Sequence, residues 1–563
     1  MNSNHVDRRE LLIRSAAVAA GVTTAATAGV VAASGEARAT PSFPAAGPVI
    51  TPGDPRYPAL IKGSNQRFLG SPEAIKMIRS AADARGALSD AVRSGKRISV
   101  RSGGHCLENF TYNPEVQIVL DFSEMNHVDY DVRMRAFSVE PGAQLSNVYQ
   151  ALYKGWGVTL PGGVCHSVGV GGHVAGGGYG MLSRSLGLVV DHLYAVEVTT
   201  VDARKGVRTI VATREADDPH RELWWAHTGG GGGNFGLVTK YWFRTPGAKG
   251  NNPSDQLVSP PGTVLVSALH FPWDQITEDG FVRLLLNYGA WHEANKHPDS
   301  PYRDICSLFN VNFKHHGGLS LYSQTDATVP DAREKLDTYL AALQKDTGIT
   351  PVPMTKASGE LAAMPGIFEP TELPWLRAVR MLGASDPTGA NPTARIGFKN
   401  GYFRENFTEH QLRSAFKFLS RDDLTNDETA LVLFSFGGKI NELAADARAI
   451  PQRDSGFKAM FQCIWSDEQD DAHYLKFLRD WYADFYAETQ GVPATNGVTD
   501  GCYINYPDVD LTKPEFNTSG IPWTELFYKD NYARLQRIKA AYDPANVFHH
   551  SMSIVPKRWT SGR

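Results

Sequence analysis

Pro161-Gly-Gly-Val-Cys165-His-Ser-Val-Gly-Val-Gly-Gly172 is the stretch that decides how this chain is read. Glycine leaves backbone N–H groups uncovered, so an anionic or planar ligand can come close to the main chain. A cysteine ends the first glycine turn. Upstream, Arg101-Ser-Gly-Gly-His105 ends a second glycine turn in a histidine. A thiol and an imidazole are the side chains best able to bond an electrophilic ring. Two nucleophiles beside a backbone cradle point to a large redox cofactor held permanently. More glycine follows at Gly176-Gly-Gly-Tyr-Gly180 and from Gly229 to Gly233. Val164, Val168, Val170 and Val174 are interleaved, which a flexible Gly/Ser linker would lack. An ordered loop packed on a core is expected. Gly169-x-Gly171 does not read as the dinucleotide fingerprint, which follows an apolar strand near a domain start and opens a helix. Here more glycines stand where that helix should be. The expectation is a long loop whose amides face a pyrophosphate.

The N-terminus is set apart. Asp7-Arg-Arg-Glu-Leu-Leu-Ile13 places paired arginines before a mildly apolar run from Ala16 to Ala33, and Ala37-Arg-Ala39 has the form of a cleavage site. Residues 1–39 read as a twin-arginine signal peptide. That route carries folded proteins, which suits a cofactor loaded in advance. The mature chain is expected to begin near Thr40 and to be extracellular or periplasmic, with no stable membrane association.

The remainder is long enough for two domains sharing an interface. Net charge is −4 over 563 residues, and no Lys/Arg run suggests nucleic acid. A small-molecule partner is expected; oligomeric state is left open. The five cysteines are far apart and contain no C-x-x-C. A zinc site or a disulfide framework is not expected, and no metal site is assigned. Short β-like runs alternate with helical stretches over residues 40–255, with strands expected at Arg97–Arg101, Val116–Phe122, Phe137–Pro141, Leu193–Val201 and Leu237–Phe243. Helices are expected at Ser71–Ser94 and Ser146–Gly155. Residues 256–500 hold β-like runs at Val264–Phe271, Leu308–His315, Arg395–Phe403, Ala430–Phe436 and Ala459–Ser466, separated by helical stretches. An antiparallel sheet backed by helices is expected there. Residues 501–563 form a C-terminal segment with a helix near Tyr528–Tyr542. The fold class is α+β.

These residues resemble a known family. Val100-Arg-Ser-Gly-Gly-His105, the cysteine stretch, and Gly180-Met-Leu-Ser-Arg-Ser-Leu-Gly-Leu-Val-Val-Asp191 look like the PCMH-type FAD-binding domain of the vanillyl-alcohol oxidase/p-cresol methylhydroxylase superfamily. The ending, with Tyr503-Ile-Asn-Tyr506-Pro-Asp508 and Tyr542-Asp-Pro-x-Asn546-Val-Phe548, resembles its berberine-bridge-enzyme-like branch. The resemblance implies elongated FAD in a two-part FAD-binding domain, with the C-terminal segment returning to it and the flavin ring facing the second domain's sheet. It implies flavin bonded through its 8α-methyl to His105 and through C6 to Cys165. Ser102, Gly103, Gly104, Gly163, Gly169, Gly171, Gly172 and Val238 carry over as FAD contacts; Phe110, Leu145 and Asp191 read as framework. In the branch, the residue three beyond the cysteine helps decide whether dioxygen reaches the flavin. A valine there, Val168, implies an oxidase that uses O2 and releases hydrogen peroxide.

Alcohol oxidation needs a base for the hydroxyl proton. The resemblance offers Tyr503, Tyr506 and Tyr179. A free phenol is only about 0.1% ionised at pH 7, a cost of roughly 4 kcal/mol that the site must offset. Tyr179 is a candidate donor to the phenolate of either partner. On a strand Tyr503 and Tyr506 would face opposite sides, so one is expected to meet substrate, Tyr503 rather than Tyr506. The second domain offers Phe309, Phe313, Tyr322, Phe398, Tyr402, Phe403, Phe434, Phe436 and Trp465; most are expected in the sheet core. The expected substrate is a sugar, oligosaccharide or glycosylated secondary metabolite, oxidised at an alcohol or hemiacetal carbon. The alternatives are C–H oxidation with ring closure, a dehydrogenase with another electron acceptor, and a flavin-binding protein without turnover.

Overall fold

Strands Arg395–Phe403 and Phe457–Trp465 pair antiparallel along their whole length, Arg395 opposite Trp465 and Phe403 opposite Phe457. They form one side of an eight-stranded antiparallel sheet whose order continues through Ala430–Ser435, Cys306–Asn312, Gly318–Asp326, Thr263–Pro272 and Val352–Pro353, with Thr371–Pro374 also on Thr263–Pro272. Helices Glu278–Ala294, Ala332–Gln344, Glu409–Leu419 and Asp471–Phe485 pack on one another and back this sheet. Its other face points at the N-terminal half of the molecule. The computed structural model describes residues 47–557 apart from 205 and 386–390. The twin-arginine reading of residues 1–39 lies outside the described residues.

The N-terminal half holds two smaller sheets. Ala74–Met77 and Ile98–Arg101 each pair parallel with Ile118–Asp121. Helix Ala81–Ser94 presents Ala84, Ala87, Leu88 and Ala91 to the core at helical spacing. Ser80 Oγ caps its start by accepting from Asp83 N, and Gly95, at φ 66°, ends it in the left-handed region. The second small sheet is antiparallel, in the order Val128–Asp131, Ala136–Val139, Leu237–Phe243, Leu193–Val201, Val207–Thr213.

Several expectations are corrected. Ser71–Ser94 is not one helix: Ala74–Met77 is a strand, because parallel pairing with Ile118–Asp121 outweighs the helix propensity of Ala, Lys and Met. Val207–Thr213 and Gly318–Asp326 are strands the sequence reading did not name. The C-terminal helix expected near Tyr528–Tyr542 is present as Asn531–Tyr542, and a further short helix, Trp523–Tyr528, precedes it, the two separated at Lys529 with φ 47°. The glycine stretch is not all loop. Val170–Ala175 is a short helix that Gly169 precedes in extended conformation.

One apolar cluster runs from Val148 and Leu152 through Trp224 to Leu308 and Phe461, so both halves share a core. Buried charge ties them as well. Asp191 takes both guanidinium nitrogens of Arg453 at 2.9 Å and the Leu188 N–H at 2.8 Å. Burial pushes the Asp191 carboxyl up, but Arg453, Arg448 and that N–H outweigh it and hold it below the ordinary carboxylate range. Arg184, also buried, donates to the carbonyls of Phe436 and Asn295. At the C-terminal end, the buried Lys539 donates to Asp543 and to the carbonyls of Asn234 and Phe548.

Lys539→Met strands a buried carboxylate and two carbonyls. It is expected to cost about 3–5 kcal/mol, the range for breaking a buried ion pair on one side. A urea titration followed by intrinsic fluorescence reads this as a lowered midpoint.

Candidate functional site

The turn after strand Ile98–Arg101 crosses the loop before helix Val170–Ala175 in direct contact. A Cβ on Gly103 would lie 2.3 Å from Gly169 N, and a Cβ on Gly169 would lie 2.2 Å from Ser102 Oγ. These two positions are glycine because two main chains touch. Gly171 is tight as well, with a Cβ 3.1 Å from Pro141 O and from Ser102. Gly172 differs, since a Cβ there would meet nothing within 4 Å. Ser102 Oγ donates to Pro141 O at 2.6 Å and pins the crossing.

The crossing forms the floor of a cavity of about 360 Å³. Ser102, Gly103, Gly104 and His105 border it from the first turn. Gly163, Cys165, Val168, Gly169, Gly171 and Gly172 border it from the second, and Val238 from the adjoining sheet. Phe110 and Leu145, read as framework, also border it; Asp191 does not. Gly231, Gly232, Gly233 and Asn234 complete one end, and the C-terminal His549 and His550 close over it. His550 stacks on Phe110 with ring centroids 3.9 Å apart. The sequence showed the Gly229–Gly233 run only as glycine density, with no nucleophile beside it.

His105 Nε2 lies 2.7 Å from Ser167 Oγ, which joins the two turns. Cys165 Sγ donates to Glu360 Oε1 at 3.5 Å. Gly163 N donates to His173 Nε2 at 3.2 Å. Burial holds the His173 imidazole down to about 4, with Lys458 adding to the effect, so at neutral pH it is the uncharged acceptor this bond needs. Open amide edges at one end and two nucleophiles on the wall fit an elongated dinucleotide with a reactive ring.

The opposite wall comes from the large sheet. Residues two apart on a strand share a face, so Ile396 with Phe398, and Met460 with Gln462 and Ile464, all reach the cavity; Phe434 and Leu308 join them from neighbouring strands. Of the nine aromatics named from the sequence in this half, Phe398 and Phe434 line the cavity.

The tyrosine segment is not a strand. Tyr506 N donates to Tyr503 O at 2.9 Å, so the chain turns and both rings border the cavity. Asn400 clamps this turn, donating to Tyr506 O and accepting from Tyr503 N. Tyr503 Oη accepts from Gly178 N at 3.0 Å and from Asn505 Nδ2 at 3.2 Å. Tyr179 and Tyr506 face each other hydroxyl to hydroxyl at 2.5 Å. Burial pushes all three phenols above the ordinary tyrosine range.

Beside them lies a residue that sequence reasoning missed. Lys458 is fully buried, and its Nζ has no hydrogen-bond partner. It sits 3.0 Å from the ring centre of Tyr179, 4.4 Å from that of Tyr503 and 4.7 Å from that of Tyr506. Burial pushes its ammonium well below the usual lysine range, while the electron-rich ring faces favour the cation. A lone lysine inside an apolar strand carries no motif that would have marked it. Among the described residues no two cysteines form a disulfide, and no helix is long and apolar enough to cross a membrane.

The FAD binding domain family matches residues 72–205, and the berberine and berberine like family matches residues 502–555. The chain is 45% identical over 504 residues to the aclacinomycin-N/aclacinomycin-A oxidase of Streptomyces galilaeus, covering 89% of each protein. It is 31% identical to the hexose oxidase of Chondrus crispus, covering 90% of this chain and 94% of that one. Among solved structures, a glycopeptide hexose oxidase complexed with teicoplanin superposes with a TM-score of 0.84 at 46% identity, over 91% of this chain and all of that one.

Tyr503→Phe leaves the Gly178 N–H without its acceptor. An unsatisfied buried donor costs about 1–3 kcal/mol, and a chemical denaturation midpoint is expected to fall accordingly.

Proposed function

Because the chain belongs to the berberine-bridge-like FAD-linked oxidoreductases, we propose that it oxidises an alcohol or hemiacetal carbon of a sugar, or of a sugar-bearing natural product, to a ketone or lactone. The named relatives support the substrate class, since they are an aclacinomycin oxidase and hexose oxidases. The cavity supports it too, being walled by Phe398 and Phe434 on the side away from the cradle. FAD held between the Ser102–His105 turn and the Gly163–Gly172 stretch would supply the hydride acceptor. Dioxygen is proposed as the final acceptor, with hydrogen peroxide as product; Val168 on the cavity wall supports this reading. Export of the loaded enzyme is supported by the leader read in residues 1–39.

The observation that carries this reading is the Tyr179–Tyr506 hydroxyl pair with Lys458 packed against it. Tyr506 is assigned as the base. Tyr503 is assigned to scaffolding, because its oxygen already holds Gly178 N and Asn505. Tyr179 donates to the Tyr506 phenolate and spreads its charge. Burial alone disfavours the Lys458 ammonium, so Lys458 is assigned its positive charge only together with the phenolate: at an effective dielectric of about 20, two unit charges about 4 Å apart attract by about 4 kcal/mol. An ordinary phenol costs roughly 4 kcal/mol to ionise at pH 7, and burial adds to that for Tyr506, so the pair offsets part of the cost and the Tyr179 hydroxyl offsets more.

His105 and Cys165 are proposed to hold the flavin by two bonds. On acid precipitation the yellow colour should stay in the pellet for the native protein and for His105→Ala and Cys165→Ala alone. The double variant should release free FAD. Loss of all flavin from either single variant would exclude two bonds.

A panel of sugars and glycosides read by peroxide release tests the chemistry. Tyr506→Phe should lower kcat/KM about 10²–10⁴-fold, the usual contribution of a positioned base. Lys458→Met removes the cation that favours phenolate. The base's pKa then rises, so the rising limb of the kcat/KM profile should move to higher pH and activity at pH 7 should fall. An unmoved limb would remove Lys458 from this role.

A further inference from the structure

Glu360 belongs to no motif, yet it is presented to the cavity by a built device. Ser358 and Leu361 exchange backbone hydrogen bonds at 2.8 and 2.9 Å around a tight turn. Gly359 stands at φ 54°, a conformation glycine adopts without strain. Asn310 Nδ2 donates to Ser358 O at 2.7 Å, and Ser358 Oγ donates to Asn312 Oδ1 at 3.1 Å. Both asparagines are buried in strand Cys306–Asn312, and Leu361 is fully buried beneath the turn. The tip of this pinned turn carries Glu360, whose Oε1 accepts from Cys165 Sγ at 3.5 Å. The contact reaches across the cavity between the two halves of the molecule, from the residue after Val164 to a turn on the large sheet.

We infer that Glu360 is the proton acceptor that arms Cys165 for bonding to the flavin ring. This rests on the two-bond reading given above. An ordinary thiol is only a few per cent thiolate at pH 7, and the thiolate is the nucleophile. A carboxylate already accepting the S–H bond supplies the missing base. In the step, the sulfur–hydrogen bond breaks and its proton goes to Glu360. The sulfur bonds to ring carbon C6, the hydrogen on that carbon leaves as a proton, and the electron pair passes to the ring. Dioxygen then takes that pair with two protons and leaves as hydrogen peroxide, restoring the oxidised ring. His105 Nε2 lies 2.7 Å from Ser167 Oγ, and its bond to the 8α-methyl is scored separately in the test.

The test reads bonds, not turnover. Native protein, Glu360→Gln and Glu360→Asp are purified as expressed. Proteolysis and mass spectrometry then score flavin on the His105 and Cys165 peptides, and maleimide labelling after denaturation scores the Cys165 thiol. Native protein should carry both bonds. Glu360→Gln should keep the His105 bond, with bonding at Cys165 slowed about 10²-fold, the lower range for loss of a general base. Incubating that variant in air at about pH 9.5, above the ordinary thiol value of about 8.5, should restore the Cys165 bond. Glu360→Asp should fall between the two. A purely structural defect would not respond to pH, so failed rescue overturns the inference. Full Cys165 bonding in Glu360→Gln at pH 7 also overturns it. Native protein with no flavin on Cys165 sinks the two-bond reading itself, an outcome distinct from either.

Discussion

The contact between Gly103 and Gly169 governs the rest of the site. Two main chains pass so closely that a single methyl group on either would overlap backbone or Ser102. That closeness brings the ends of two distant glycine turns to one cavity wall and sets His105 opposite Ser167. It also fixes the start of the short helix at Val170, and that helix carries His173 beneath the cysteine turn. His173 O in turn holds Asn505, which reaches Tyr503. Cofactor cradle and tyrosine cluster are therefore one connected piece, built outward from a steric requirement rather than from a charge.

The two walls of the cavity solve different problems. The N-terminal wall is backbone, with glycine where chain meets chain and where side chains must stay away. The sheet wall is side chain, and the period of two along its strands sets Met460, Gln462 and Ile464 in a row. Lys458 continues that row one step deeper, opposite Tyr402 and Phe434 in register. A charge-bearing group there is costly in solvation terms. The faces of four tyrosine rings offset part of that cost, and the proposed phenolate would offset more.

Much of this was legible in the residues. Motifs that are contiguous in sequence, such as the two glycine turns and the Tyr503–Tyr506 ending, announce themselves. Strands buried on both faces, such as Ala430–Ser435, read clearly as apolar runs. Ala74–Met77 did not, because three of its four residues favour helix and it becomes a strand through Ile118–Asp121, 44 residues on in register. Roles that depend on contact across the fold were also hidden. The proposed choice of Tyr506 over Tyr503, the reverse of the sequence expectation, rests on Tyr503 Oη holding Gly178 N and Asn505 Nδ2 across the fold. Lys458, Asn400 and Glu360 stand alone in their segments, and their meaning comes from neighbours far away in the chain.

The cavity's outer edge is made by Phe548, His549 and His550, with Phe110 stacked beneath the last of these. Lys539, on the helix Asn531–Tyr542, holds that tail by donating to the Phe548 carbonyl, so the edge depends on this helix. His550 Nε2 also lies 3.1 Å from Gly232 O, which ties the tail to the glycine run it borders. The groove thus owes its edge to a helix that lends it no lining residue of its own.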